Sequence, residues 1–140
     1  MALACAGVAW TCITMSSKGP MDTEKFKKIV DINVYGSMYV AKYASVIMAK
    51  NQPMNERGEK GLILFVSSVA AEEGQRGQVA YSATKGAING IVMPMARDLG
   101  KYGIRVAAIA PGIFHTPIAA GMSQKVIERL NRDTPMGRPG

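Results

Sequence analysis

A chain of 140 residues with 48% hydrophobic and 19% charged content has the length of one domain and enough apolar side chain to bury a core, which excludes disordered and fibrous classes. The formal charge of +7 invites an anionic partner, but the 17 Lys and Arg are scattered and no basic run exceeds Lys27-Lys28. No aromatics alternate with bases, so a nucleic-acid platform is not supported; a phosphate-bearing cofactor or thioester is a simpler destination for the charge.

Residues 1–15 are nearly uncharged and apolar. They lack a basic leader, and Trp10, Thr11, Cys12 and Thr14 interrupt them, so a buried strand followed by a loop is expected rather than a signal peptide. Residues 2–5 form that strand, stopped at Gly7. Lys18-Gly19-Pro20 is a turn. Asp22 suits the N-cap of a helix running to Lys50, with Glu24 in its first turn. Residues 51–61 contain Pro53, Gly58 and Gly61 and are read as a loop. Residues 62–66 are a continuous aliphatic run, as expected of a parallel strand buried on both faces. Residues 67–77 are loop, and a second long helix runs over 78–101, with Pro94 expected to kink it. A further buried strand covers 104–109, broken by Pro111-Gly112. A short amphipathic helix over 121–132 leads to a Pro/Gly-rich tail. Alternating strands and helices indicate an α/β fold with a parallel sheet. No uncharged apolar run reaches the ~20 residues of a membrane span. Cys5 and Cys12 make no disulfide framework, and no His/Cys cluster indicates a metal; a reducing compartment is the default.

Polar residues interrupt this pattern at informative places. Phe26, Ile29, Val30, Val34, Met38 and Ala41 form an apolar stripe at helical spacing, and Asn33 lies within it. A buried amide without partners costs about 1–3 kcal/mol. Two readings stay open: a core amide satisfied by neighbouring backbone, or a polar group aimed at a site beside the strand ends. Tyr81 and Lys85 are four apart and share one helical face. A nearby ammonium favours the phenolate, which makes Tyr a usable acid/base. Alone the pair is weak evidence, because an exposed Tyr and Lys are common neighbours. Ser67-Ser68, however, follows the strand at 62–66, Pro111-Gly112 follows the strand at 104–109, and Ala6-Gly7 follows the first strand. Open α/β sheets bind ligands at the C-terminal ends of their strands. All these elements fall on one rim.

With those residues in place, the chain resembles the short-chain dehydrogenase/reductase superfamily over essentially its whole length. The Tyr-x-x-x-Lys of that family appears as Tyr81-Ser82-Ala83-Thr84-Lys85, its serine thirteen residues earlier as Ser68, its helix-borne asparagine as Asn33, and its Pro-Gly-x-x-x-Thr segment as Pro111 to Thr116. Ser68-Val69-Ala70-Ala71, Glu73-Gly74-Gln75, Gly77-Gln78 and Ala96-Arg97-Asp98-Leu99 are similar to the branch acting on 3-hydroxyacyl-CoA and hydroxysteroids. The resemblance implies a Rossmann-type doubly wound parallel sheet, present as a single incomplete NAD(P)-binding domain over residues 1–140, without its first βαβ unit and last strand. It further implies an oxidoreductase interconverting a secondary alcohol and a ketone with NAD, NADP being the alternative.

The implied roles are specific. Tyr81 exchanges a proton with the substrate oxygen. Lys85 lowers the phenol's pKa and holds the nicotinamide ribose. Ser68 bonds the substrate oxygen, Gln78 contacts substrate, and Asn33 anchors a water in a relay to Lys85. Cys5, Ala6, Gly7, Pro111, Gly112, Phe114 and Thr116 line the nicotinamide end. The resemblance also implies a homo-oligomer built through the two long helices, and a mitochondrial or cytoplasmic location. Ala4 departs from the family's Asn-Asn-Ala-Gly, as does His115 from the expected small residue. The missing first βαβ unit makes a non-catalytic binding or oligomerisation module the competing expectation. An anion- or RNA-binding accessory subunit would rest on charge alone.

Overall fold

The computed structural model describes residues 1–116 and 124–140. It divides into two compact units, Met1–Ala110 and Pro111–Gly140. The boundary falls at the Pro111-Gly112 breaker that ends the last strand.

In the first unit the elements run β1 (Ala2–Ala4), β2 (Met15–Ser16), β3 (Gly19–Pro20), α1 (Thr23–Val30), a wide π-turn (Asp31–Tyr35), α2 (Gly36–Ala49), β4 (Gly61–Val66), a 3₁₀ turn (Val69–Ala71), α3 (Val79–Gly100) and β5 (Ile104–Ile109). Strands β1, β4 and β5 form a parallel sheet in the order β1-β4-β5, with Ala4 beside Phe65 and Phe65 beside Ala108. Two right-handed crossovers stepping the same way along a sheet put both connecting helices on one face. Accordingly Ala41 and Met48 of α2 and Ile88 of α3 share one core with Ile63, Phe65 and Ile104. This unit thus supplies one of the two helical layers of a doubly wound α/β sheet.

The expectation that residues 62–66 are buried on both faces is corrected. Gly61, Ile63 and Phe65 are buried, while Leu62, Leu64 and Val66 are only half-buried and their neighbours Leu3 and Ile109 are exposed. A strand presents alternate side chains to opposite faces, and helices of this unit cover only one. The turn expected at Lys18-Gly19-Pro20 falls at Ser17-Lys18, and Gly19 and Pro20 form the second strand of a small antiparallel hairpin, β2–β3, in which Met15 pairs Pro20.

The helix from Asp22 is as expected at its start, where the Asp22 carboxylate accepts the N–H groups of Glu24 and Lys25. It is not uniform. Its buried residues Ile29, Asn33, Ser37 and Ala41 are each four apart, with Met48 following near the end. Four residues overshoot a 3.6-residue turn by about 40°. The wide turn, in which Gly36 N–H donates to Asp31 O, takes up that overshoot and keeps Asn33 and Ser37 facing inward. Helix α3 runs on through Pro94 to Gly100.

In the second unit α4 (Gln124–Asp133) has no buried residue. The first three residues of the helix expected over 121–132 lie outside the described residues. The Pro/Gly-rich tail turns at Gly137, and Gly140 N–H donates to Ile113 O at 3.0 Å. No helix among the described residues is long and apolar enough to cross a membrane.

Candidate active site

The chemistry-bearing residues of the first unit meet where the parallel strands end. At the rear lies Asn33, 1% exposed. Its Oδ1 accepts Val8 N–H at 2.8 Å, and its Nδ2 donates to Val8 O at 3.0 Å and to Thr84 Oγ1 at 3.0 Å. Its own carbonyl accepts the Ser37 hydroxyl at 2.8 Å. Of the two readings left open by spacing, the amide is satisfied by the Val8 backbone and by Thr84, while its Oδ1 keeps a second acceptor position. Gly7 completes this wall, because a Cβ there would meet Asn33 Oδ1 at 3.2 Å and Lys85 Nζ at 3.8 Å.

Lys85 is buried along its stem, and its ammonium donates to Val66 O at 2.7 Å, at the very end of β4. The Lys85 carbonyl in turn accepts the hydroxyl of buried Ser67 at 3.1 Å. Helix and strand are therefore stitched together from both ends of one residue. Lys85 Nζ stands 5.5 Å from the centroid of the Tyr81 ring, over its face rather than at its hydroxyl.

The electrostatics differ from the expectation for this pair. The Tyr81 phenol is held above its ordinary value, chiefly because burial disfavours the phenolate; a hydrogen bond with Ser68 pulls the other way. Burial likewise lowers the Lys85 ammonium. Ser68 also caps the 3₁₀ turn, its Oγ accepting Ala70 N–H at 3.1 Å.

A strap of chain fixes the start of α3. Cys12 N–H donates to Gly77 O at 2.7 Å, and Cys12 pairs with Gln78 in a parallel bridge. Cys12 is buried with Ile29 and Ala80. Gly77 has φ +86°, a region that L side chains rarely adopt, and a Cβ there would meet Thr11 Cγ2 at 2.9 Å. The Oε1 of Gln78, the residue expected to contact substrate, accepts Gln75 N–H at 2.7 Å, which folds the carbonyl end back onto its own loop.

Cys5 and Ala6 are exposed and Gly7 is half-buried, so the stretch after β1 forms an open rim in front of Asn33 and Lys85. Pro111, Gly112, Phe114 and Thr116 lie in the second unit, with the last three exposed. The structure brings Asn33, Ser68, Tyr81, Lys85 and Gly7 together within the first unit. Sequence reasoning gave no role to Thr84 or to the backbone of Val8 and Val66. Thr84 could have been noticed as a hydroxyl on the inward face of α3; the backbone groups leave no trace in the side-chain pattern.

The family model described as enoyl-(acyl carrier protein) reductase matches residues 1–140. The chain belongs to the short-chain dehydrogenase/reductase family. It is 42% identical over 137 residues to human 3-hydroxyacyl-CoA dehydrogenase type-2, a match covering 96% of this chain and 52% of that protein. It is 40% identical over 117 residues to a 3alpha-hydroxysteroid dehydrogenase of Mediterraneibacter gnavus, covering 84% of this chain and 44% of the relative. Among solved structures, 3-hydroxyacyl-CoA dehydrogenase type-2 from Mycobacterium avium superposes with a TM-score of 0.88 at 33% identity, over 99% of this chain and 55% of that one. The chain spans about half the length of the curated relatives it matches.

Proposed function

We propose that this chain carries the proton-transfer half of an oxidoreductase that interconverts a secondary alcohol and a ketone. The observation that carries the reading is the convergence of Ser68, Tyr81 and Lys85 on the strand-end rim, backed by a fully bonded Asn33. The names of the relatives favour 3-hydroxyacyl-CoA or hydroxysteroid substrates.

A nicotinamide cofactor fits the residues present. The exposed Cys5-Ala6 stretch and Gly7 carry too little side chain to block a flat ring, and Lys85 uses one of its three protons on Val66 O. Cys5, Ala6, Gly7, Tyr81 and Lys85 would hold the nicotinamide end. NAD is the proposed form, with NADP as the alternative. When bound, the cofactor supplies or accepts the hydride.

The remaining steps belong to side chains of this chain. Ser68 donates a hydrogen bond to the substrate oxygen as negative charge develops there. Tyr81 gives its phenolic proton to that oxygen in reduction and takes it back in oxidation. Lys85, adjacent and cationic, favours the phenolate once ligands exclude water and draw its ammonium toward the ribose. Asn33 holds the backbone behind Lys85 and is the proposed anchor for a relay water. Gln78 retains its amide nitrogen as a group to address substrate.

Titrating the full chain into NADH and into NADPH while following nicotinamide fluorescence tests the reading. Saturable binding of one of them, weakened in Lys85→Ala, is expected. A linear response to both would sink it. Homo-oligomer formation through α2 and α3 is a companion proposal, supported by Tyr39, Tyr43 and Ile47 on α2 and by Tyr35 just before it, all more than half exposed. Sedimentation equilibrium of the chain checks it.

A further inference from the structure

Thr84 stands between the two candidate proton-handling residues, is 1% exposed, and is bonded in two directions. Its hydroxyl donates to Tyr81 O at 2.7 Å and accepts from Asn33 Nδ2 at 3.0 Å. A hydroxyl has one proton. With that proton on Tyr81 O, Thr84 can only accept from Asn33, so the NH2 end of the amide must face α3. The same orientation is required by Val8, whose carbonyl accepts from Nδ2 and whose N–H donates to Oδ1. An unbroken line of bonds therefore runs from the backbone just after β1, through Asn33 and Thr84, to the turn of α3 that carries Tyr81.

A helical threonine often bonds the carbonyl three or four residues back, with no further consequence. That account explains the contact with Tyr81 O. It does not explain the second bond, which reaches a residue 51 positions away on the π-turn. Nor does it explain why a residue inside the interval between Tyr81 and Lys85 should be the point at which α3 is tied to the opposite wall.

We propose that Thr84 is a positioning residue, which sets the first turn of α3 relative to Asn33 and so holds the Tyr81 phenol against Ser68. Its catalytic consequence rests on the oxidoreductase reading above; the positional claim does not, and it can be read without turnover. Lys85 Nζ, 5.5 Å from the ring centroid, is the charged group over Tyr81, and it is tied to Val66 O, a contact that does not involve Thr84.

The test uses the full chain with tyrosine labelled by ¹³C at Cζ, a carbon whose chemical shift follows hydrogen bonding of the phenol oxygen. The Tyr81 resonance is the one absent from Tyr81→Phe. Ser68→Ala is expected to move it, and Thr84→Val to move it in the same direction by at least half as much. Thr84→Ser, which keeps the hydroxyl, should restore the wild-type position. The Ser68→Ala/Thr84→Val double variant should move it no further than Ser68→Ala alone. A folded Thr84→Val with an unmoved Tyr81 resonance overturns the proposal, as does Thr84→Ser behaving like Thr84→Val. Should Thr84→Val fail to fold by circular dichroism, Thr84→Ala provides the same comparison, and loss of the fold in both assigns Thr84 a purely structural role. A Tyr81 resonance that responds as expected in a chain that binds neither NADH nor NADPH would keep the positioning role and remove the oxidoreductase reading.

Discussion

The rear and the front of the candidate site are built on opposite principles. At the rear, Asn33 and Thr84 are each 1% exposed, and both ends of the Asn33 amide are bonded within the chain. At the front, Cys5 and Ala6 are exposed, Gly7 and Tyr81 are half-buried, and the Ser68 hydroxyl has capacity beyond its cap to Ala70. A buried polar network raises stability and fixes geometry only when every member is satisfied. Groups that must meet a substrate cannot all be satisfied beforehand. Stability should therefore reside in the rear and reactivity in the front, and variants can separate the two.

The largest effect on folding is expected at the rear. Asn33→Leu removes the partners of both Val8 backbone groups, each worth about 1–3 kcal/mol when left unpaired, so a loss of at least about 2 kcal/mol is expected. Urea unfolding should show a lower midpoint at constant slope. Next comes the strap that joins rear and front. Gly77→Ala forces a side chain into φ +86° and against Thr11, for a loss of about 1–2 kcal/mol in the same measurement. At the front, Ser68→Ala removes the cap of a short turn and the hydrogen bond with half-buried Tyr81, at about 1 kcal/mol. Turnover should nevertheless fall about 10²-fold if Ser68 bonds the developing oxyanion. Equal unfolding losses in Asn33→Leu and Ser68→Ala would break the distinction between the two regions.

The smallest effect is a pH dependence. Tyr81 keeps its proton in the folded chain to higher pH than its ordinary value near 10, so the unfolded chain ionises first and stability falls as pH rises above 10. Lys85 is shifted down, so its folded form releases the proton first, and stability gains as pH approaches 10.5 from below. Tyr81→Phe should abolish the fall and leave the gain. Both groups are partly solvated, which keeps the effect small, and melting temperatures from pH 8 to 11 would detect it.

Much of this division was legible in the sequence. The runs at 62–66 and 104–109 gave strands, the stripe from Phe26 to Ala41 gave a helix, and Tyr81, Lys85 and Ser68 gave the rim, because spacing along a chain carries over directly to a face or a strand end. Asn33 stood out as polar in an apolar stripe, yet its partners did not. They are the backbone of Val8 and a hydroxyl 51 residues on, and backbone groups have no signature in side-chain order. The π-turn was hidden for a related reason: residues 22–50 read as one helix, and only the four-residue spacing of Ile29, Asn33, Ser37 and Ala41 hinted at a wider turn. Spacing reveals the charge of Lys85 near Tyr81 but not the burial of the phenol, which raises its pKa. The far face of β4 was misread because a continuous aliphatic run records what a strand can bury, not what covers it.

The oxidation of a 3-hydroxyacyl-CoA by NAD, followed by nicotinamide absorbance in the wild-type chain and in Tyr81→Phe, tests the central claim most directly. Removing the proton-transfer hydroxyl from the front while leaving the rear untouched should lower the rate by about 10²–10⁴-fold with urea unfolding unchanged. Wild-type turnover that survives intact in Tyr81→Phe would contradict it.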